Sequence, residues 1–293
     1  MKPAILQLWP GDAPGSEGLD FDLQCVERSA DPAVRDRAVS SIRRPTLTVF
    51  RPAHPNGCGV LLTPGGGYQR IVLDKEGEDI AQWLNALGVT VFLLQYRLPA
   101  EGHNHGADVP LQDAQRALRL IRQRAAEWGL DHVGALGFSA GGHVAAMLAT
   151  CHVREVYAAV DAADALSARP DFVLLGYPVI SMDAAIAHAG SRQALLGSDE
   201  SHVRRYSAEC QVNAQTPPLF IFLPDDDASV LPENSVRMYL AARHAGVSAE
   251  LHSFQRGSHG FGIRFARHGT VAAWTGLAEG WLRQNGWLPL AEA

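Results

Sequence analysis

Mostly apolar, strand-like segments alternate along this chain with segments of helical periodicity. The strand-like segments are 46–50, 58–63, 89–96, 133–138, 171–177, 218–223 and 249–254. In residues 77–88 the apolar side chains fall on one helical face, and Gly88 occupies a C-cap position. In 111–128 they recur in steps of three and four. Buried strands that alternate with amphipathic helices are typical of a mostly parallel sheet with helices on both faces, so we predict an α/β fold.

The chain shows no internal repeat and no low-complexity linker that would divide it. Its 293 residues, of which 47% are hydrophobic, can bury one sizeable core. We therefore expect a single domain over residues 1–293. Residues 181–216 are less apolar and contain no strong strand pattern, so we expect this segment to form a small cap over the edge of the sheet.

Charge and hydropathy argue against several classes of protein. Charged residues make up 19% of the chain, the formal net charge is −6, and the basic residues form no stripe. We therefore predict no nucleic acid and no membrane among the partners. No run of 18 apolar residues occurs, and the short apolar stretch near the N-terminus is interrupted by Pro10 and Gly11. Neither a membrane helix nor a signal peptide is predicted.

The four cysteines, Cys25, Cys58, Cys151 and Cys210, are far apart and have no metal-binding or C-x-x-C spacing. We interpret them as free thiols, most of them buried as small apolar groups. Free thiols are typical of a reducing compartment, which predicts a cytoplasmic protein.

One serine stands in a motif that carries chemistry. Residues 137–141, GFSAG, match G-x-S-x-G, with a predicted strand before them and the helical segment GHVAAMLAT after them. In this context the chain reverses so sharply that the serine hydroxyl is exposed at the carboxyl end of the sheet. Side chains at 137 and 141 would collide with their neighbours. Ser139 is therefore the candidate nucleophile, and an idle serine in a glycine-rich turn is the alternative.

A nucleophilic serine needs a base and an acid that orients the base, and here they should follow in the order acid, then histidine. His259 lies between small residues in a loop after the last predicted strand, where an imidazole can reach over the end of the sheet. The acid is expected directly after the preceding predicted strand, where Asp225, Asp226 and Asp227 are all candidates.

An oxyanion hole is the third requirement. The stretch TPGGGY, residues 63–68, follows a strand and offers backbone N–H groups without side chains. It lacks the G-x-x-x-x-G-K-[ST] and G-x-G-x-x-G patterns of phosphate-binding loops. We predict that the N–H groups of Gly66, Gly67 and Ala140 stabilise an oxyanion, and that Tyr68 forms a wall of the substrate pocket. A tight turn without this function is the alternative.

His103, His105 and Asp108 lie close together in one loop and could suggest a metal site. A third neutral ligand with its own support is not evident, and the loop is expected to be exposed. We therefore predict no metal and no cofactor.

Taken together, these segments resemble the α/β-hydrolase superfamily and, within it, the bacterial acetyl esterase/lipase group that includes acetylxylan-esterase-like proteins. The resemblance covers residues 45–285 and is carried by TPGGGYQRI, EGEDIAQWLNALGVTVFLLQYRLP, DVPLQDAQRALRLIRQRAAEWGLD, GALGFSAGGHVAA, PDFVLLGYPVIS, TPPLFIFLPDDDASVLPENS and GSHGFG. It implies an α/β-hydrolase fold with a mostly parallel central sheet, and a serine esterase without a cofactor. It also implies that the loop of His103 and His105 borders the mouth of the active site.

Two stretches depart from the pattern of this group. Its acid loop usually reads D-D-x-x-V-P-x-E-N-S, whereas residues 226–235 read DDASVLPENS, with Leu231 in the usual place of the proline. Aligning on E-N-S makes Asp227 the acid, with Asp226 as the alternative. In addition, P-G-G-G-Y replaces a lipase-like H-G-G-G, so the residue before the glycines contributes no side-chain donor.

The sequence thus predicts a carboxylesterase in which Ser139 attacks a small ester, His259 transfers the proton and Asp227 orients the imidazole. We expect acetyl and other short acyl groups, on sugars among other alcohols. The segment 181–216 is charged and offers no continuous apolar groove for a long acyl chain. A serine peptidase of the same fold and a non-catalytic binding homologue are the alternatives. The oligomeric state, a homo-oligomer included, stays open.

Overall fold

The computed structural model describes residues 3–290, which form an eight-stranded sheet, a three-stranded sheet and flanking helices. The strands of the large sheet, in their order across it, are β1 (Ala4–Gln7), β4 (Thr46–Phe50), β7 (Thr90–Gln95), β5 (Cys58–Thr63), β8 (His132–Phe138), β9 (Val173–Gly176), β10 (Leu219–Pro224) and β11 (Ala249–Phe254). Strand β4 is antiparallel to both of its neighbours, and all pairs from β7 to β11 are parallel. The small antiparallel sheet consists of β2 (Gln24–Glu27), β3 (Arg37–Ser40) and β6 (Ile71–Val72).

Helices fill the connections between the strands. The α-helices are α1 (Asp79–Ala86), α2 (Val109–Gln123), α3 (Ala125–Trp128), α4 (Ser139–Cys151), α5 (Ala189–Leu196), α6 (Val203–Tyr206), α7 (Glu233–His244) and α8 (Trp274–Gln284). A π-helical turn, Asp74–Glu78, leads into α1. Short 3₁₀ turns occupy Gly106–Asp108, Ala162–Ala165, Ala208–Cys210 and Thr270–Ala273.

The predicted α/β architecture is confirmed, and each predicted strand is present with ends that differ by at most two residues. The helix predicted over 111–128 is interrupted at Arg124, whose ψ of 15° separates α2 from α3. Sequence patterns missed β1 and β2, because these strands have only four residues each and expose most of them. The segment 181–216 contains α5, α6 and one 3₁₀ turn and adds no strand to either sheet.

The central strands are apolar along their length because the protein covers both of their faces. Every residue of β5, β9 and β10 is buried, as is every residue of β8 after its first. Parallel strands end at the same edge, so the loops that follow them meet there. The registers pair Thr63 with Gly137 and Pro224 with Phe254 at this edge.

All four cysteines are free thiols, but the expectation that most of them are buried is wrong, because two are buried and two are exposed. Cys58 and Cys151 are buried, whereas Cys25 and Cys210 are exposed. Cys25 is exposed because it lies on β2, whose residues are all exposed. Within residues 3–290, no helix combines the length and the hydropathy needed to cross a membrane.

Candidate active site

Ser139 stands at the sharp turn between β8 and α4. Its φ of +53° is a left-handed conformation that costs free energy for a residue with a side chain. The flanking glycines are required by close packing, as the sequence predicted. A Cβ at Gly137 would lie 2.3 Å from the carbonyl oxygen of Gly141, and one at Gly141 would lie 2.1 Å from that of Thr63. The turn therefore holds Ser139 at the carboxyl edge of the sheet in a strained conformation.

His259 lies in the loop after β11 and contacts two of the predicted residues. Its Nε2 is 2.9 Å from Ser139 Oγ, and its Nδ1 is 2.7 Å from Asp227 Oδ2. A carboxylate only accepts hydrogen bonds, so the proton of the neutral imidazole is on Nδ1. Nε2 is then free to accept from the serine hydroxyl, which is the tautomer that a general base needs.

Asp227 is the acid that reaches this imidazole, and its side chain is buried, with the residue 4% exposed. While Oδ2 accepts from His259, Oδ1 accepts from the backbone N–H groups of Ser229 and Val230, both at 2.9 Å. Both oxygens of the carboxylate are thus held in place by donors. An acid fixed in this way keeps the imidazole in one orientation.

The other two candidate acids face elsewhere. Asp225 and Asp226 are exposed. Asp226 Oδ1 accepts from the N–H groups of Gly257 and Ser258 at 3.0 and 2.8 Å. Asp226 therefore braces the backbone of the loop that carries His259 but does not contact the imidazole.

The glycine loop lies beside the serine. Gly66 and Gly67 line the same cleft as Ser139, and their φ values are +138° and +67°. A Cβ at Gly66 would lie 2.1 Å from the carbonyl oxygen of Arg70, so this turn excludes a side chain. Ala140 is the second residue of α4, where the N–H group has no acceptor within the helix. Gly66 and Gly67 therefore lie beside Ser139 in the cleft, and Ala140 follows it directly in the chain.

The cleft at Ser139 and His259 has a volume of about 340 Å³ and is mostly polar. Side chains that line it include Arg28, Gln69, Arg70, Lys75, Glu76, His188 and Ser229. Val72 is the aliphatic exception. Burial, and then the charge of nearby His259, lowers the pKa of His188. A more open groove of about 1090 Å³ lies elsewhere, along Trp83 and Phe265, and contains no serine or cysteine.

Comparison with known proteins identifies the family. The sequence profile of the BD-FAE family matches residues 59–241. The chain belongs to the BD-FAE family.

Several related proteins are esterases or ester hydrolases by name. The chain is 35% identical over 226 residues to an acetylxylan esterase of Xylanibacter ruminicola, a match that covers 74% of this chain and 44% of that protein. The chain spans less than half the length of the curated relatives it matches. An acetyl ester-xyloside bifunctional hydrolase of Caldicellulosiruptor lactoaceticus is 34% identical, with 98% of both chains covered and a TM-score of 0.78. Esterase 2 of Thermogutta terrifontis, solved phosphorylated by paraoxon, is 26% identical, covers 92% and 96% of the two chains and has a TM-score of 0.68. The α/β-hydrolase fold is confirmed.

In this member of the BD-FAE family, Tyr68 is not a wall of the cleft, and that prediction is wrong. The residue is 2% exposed, and its hydroxyl donates to His143 Nδ1 at 2.7 Å. Nε2 of His143 in turn donates to the carbonyl oxygen of Tyr206 at 2.7 Å. Burial lowers the pKa of His143 to about 4, so the imidazole is neutral near pH 7. Tyr68 follows the predicted oxyanion glycines with a φ of +59°, and its side chain is buried in the protein core.

The loop of His103, His105 and Asp108, considered above as a metal site, makes other contacts. His103 is 5% exposed rather than on the surface, and its Nδ1 is 2.9 Å from Ser16 Oγ. Asp108 accepts from the hydroxyl of Tyr206 at 2.9 Å. Across residues 3–290, no group of three His, Cys, Asp or Glu side chains could hold a metal. None of His103, His105 and Asp108 is among the residues that line the cleft of Ser139.

Sequence reasoning missed Glu76. This carboxylate is 3% exposed and lines the cleft of Ser139. Its Oε2 accepts from the N–H of Gly65, directly before the predicted oxyanion glycines, at 2.8 Å. Nothing in the stretch DKEGED distinguishes Glu76 from its acidic neighbours, so only the structure brings it to the site.

Proposed function

We propose that this protein is a serine carboxylesterase that hydrolyses short-chain acyl esters. The observation that carries the proposal is the hydrogen-bonded series from Ser139 through His259 to Asp227 at a cleft of about 340 Å³. The names of the acetylxylan esterase and of the acetyl ester-xyloside hydrolase support the same reaction class.

The proposed reaction proceeds in two halves. Ser139 Oγ attacks the ester carbonyl carbon while His259 Nε2 takes the hydroxyl proton, and the carbonyl oxygen becomes an oxyanion held by the N–H groups of Gly66, Gly67 and Ala140. The ester C–O bond then breaks, and His259 gives its proton to the departing alcohol. His259 then deprotonates a water molecule, which attacks the acyl-serine. The bond between the acyl carbon and Ser139 Oγ breaks, His259 returns the proton to Oγ, and the acid leaves.

Polar lining supports the preference for short acyl groups. Each CH₂ gains about 0.8 kcal/mol only where apolar surface buries it, and Val72 is the one aliphatic residue among those that line the cleft. The charged residues of 181–216 support short acyl groups less strongly than the sequence suggested, because they form ion pairs near the surface. Arg192 pairs with Glu200, whose side chain is 72% exposed.

The alcohol and the compartment are part of the proposal. Acetylated xylo-oligosaccharides are the first natural substrates to test, because the names of two relatives, the acetylxylan esterase and the acetyl ester-xyloside hydrolase, refer to xylan or xyloside. We place the enzyme in the cytoplasm because four free cysteines, two of them exposed, suit a reducing compartment. Fractionation of the native cells would test this location, and recovery outside the cytoplasm would contradict it.

The deciding experiment compares wild type, Ser139→Ala and the exposed-site control Ser201→Ala. Wild type and the control should hydrolyse p-nitrophenyl acetate and react with a fluorophosphonate probe. Ser139→Ala should stay folded, lose labelling, and lose on the order of 10⁴-fold in kcat. An unlabelled and inactive wild type would favour a binding homologue. Faster cleavage of a matched anilide than of the ester would favour a peptidase.

A further inference from the structure

Glu76 is a buried carboxylate whose partners are uncharged groups. Its Oε2 accepts from the N–H of Gly65 at 2.8 Å, and its Oε1 accepts from the hydroxyl of Tyr177 at 3.0 Å. A buried carboxylate is costly unless hydrogen bonds replace its lost water. Here both oxygens are satisfied, each by a group that belongs to a different part of the candidate active site.

The first partner belongs to the oxyanion loop. Gly65 directly precedes Gly66 and Gly67. The packing is tight, since a Cβ at Gly65 would lie 2.7 Å from Ser139 Cβ and 2.8 Å from Glu76 Oε2. The backbone before the predicted oxyanion glycines thus packs closely against both Ser139 and the carboxylate of Glu76.

The second partner belongs to the surroundings of the base. Tyr177 Oη also accepts from the N–H of Gly262, in the loop of His259, at 3.1 Å. The Tyr177 ring meets the imidazole of His259 edge-on, with centroids 5.1 Å apart. Tyr177 has a φ of +35°, a strained value that persists only where the surroundings hold it.

We propose that Glu76 is a positioning residue that fixes the oxyanion loop directly and the His259 loop through Tyr177. The inference rests on the proposed esterase function and deepens it. Glu76 acts through Gly65 and Tyr177 rather than on the substrate. Oxyanion donors act in the transition state, so their misplacement lowers kcat and leaves KM nearly unchanged.

The test uses four single variants of the full chain. Glu76→Met keeps side-chain length and removes both acceptors, whereas Glu76→Gln keeps an acceptor for the N–H of Gly65. Tyr177→Phe keeps the carboxylate and its bond to Gly65, but it removes the hydroxyl that donates to Oε1 and accepts from the N–H of Gly262. Glu78→Gln is the matched control, because Glu78 lies two residues away and pairs with Arg37 outside the cleft.

Rates are measured per active site, titrated with paraoxon, on protein whose fold is checked by circular dichroism. We expect Glu76→Met to lose about 10²-fold in kcat, with KM within about twofold of wild type. Glu76→Gln should recover most of that loss, and Tyr177→Phe should fall between the two. Glu78→Gln should match wild type. A role confined to folding would instead lower stability and the titratable fraction, with kcat per site unchanged.

A folded Glu76→Met with kcat within twofold of Glu78→Gln would overturn the inference. If Glu76→Met does not fold, wild-type kcat in both Glu76→Gln and Tyr177→Phe would overturn it equally. Failure of the esterase proposal has a different signature, since wild type would then neither hydrolyse esters nor lose activity on Ser139→Ala.

Discussion

Replacing Asp227 by asparagine changes one oxygen to an NH₂ group, and the structure determines which one. Oδ1 faces two N–H donors, those of Ser229 and Val230, each at 2.9 Å. The amide oxygen of the variant must remain there, because an NH₂ group would leave both donors unpaired. The NH₂ group therefore faces Nδ1 of His259, which the wild-type carboxylate contacts at 2.7 Å.

An NH₂ group at that position reverses the imidazole tautomer. Nδ1 must then accept, so the proton moves to Nε2, the atom 2.9 Å from Ser139 Oγ. The base can no longer take the serine proton. Loss of the correct tautomer with unchanged geometry lowers kcat by about 10⁴-fold, which corresponds to about 5.4 kcal/mol of activation free energy.

The assay is kcat/KM on p-nitrophenyl acetate for Asp227→Asn, Asp226→Asn and Asp225→Asn, with thermal unfolding as the control for folding. Asp226→Asn keeps an oxygen for the N–H groups of Gly257 and Ser258, so its activity should stay within about tenfold of wild type. Asp225→Asn should resemble wild type. If Asp226→Asn is the severe variant, or if Asp227→Asn retains a tenth of the activity, the assignment of the acid is refuted.

Four further predictions follow from the cleft and the buried histidines. On p-nitrophenyl esters from acetate to decanoate, kcat/KM should not rise beyond a few carbons, and a steady rise to about eight or more would indicate a lipase-like groove. EDTA and iodoacetamide should leave activity intact, and a loss that zinc restores would point to a metal. Because Arg70 and Lys75 line the cleft, the negatively charged 4-acetoxybenzoate should be hydrolysed with a higher kcat/KM than its uncharged methyl ester. The ratio of the two kcat/KM values should fall with added salt, and a ratio independent of salt would contradict this. Burial lowers the pKa of His103 and His143 from 6.5 to about 4. Below about pH 6.5 the unfolded chain therefore binds more protons than the folded protein, and Tm should fall from pH 7 to pH 5. An unchanged Tm would contradict this.

The parts of the fold that the sequence predicted are those in which burial dictates the residue type. Strands β5, β8, β9 and β10 are covered on both faces and therefore read as apolar runs. Strand β2 is exposed along its length, and β6 has only two residues, so neither leaves a pattern. Both belong to the small sheet, which sequence reasoning did not anticipate.

The prediction of Asp227 as the acid used the sequence E-N-S, residues 233–235, as its reference point. The structure shows why the position of this motif is constrained. Asn234 is fully buried, and its Oδ1 accepts from the N–H groups of Ile180 and Ser181 at 3.0 and 2.9 Å. That contact fixes where α7 begins, and with it the distance back to the acid. A displaced proline at position 232 could therefore be disregarded, while counting from the proline would have selected Ala228.

Tyr68 shows the opposite case, in which sequence proximity is misleading. It follows the predicted oxyanion glycines directly, yet its hydroxyl bonds His143 inside the core. A left-handed φ at a residue with a large side chain is not readable from a glycine run. Neighbours of a functional loop are therefore weaker candidates than residues that the strand ends bring together.

Glu76 shows why a residue of the cleft can be overlooked within a charged stretch of sequence. In DKEGED, Asp74 and Glu78 both pair with Arg37, and Asp79 pairs with Arg264. Glu76 instead bonds a backbone N–H and a tyrosine hydroxyl under the cleft. Asp74, Glu76 and Glu78 all lie in the π-helical turn. Such turns are rare in proteins, but many of those known occur at functional sites. They have no simple sequence signature. Hydropathy treats the four acids alike, so the distinguishing property is the partner that each carboxylate finds in three dimensions.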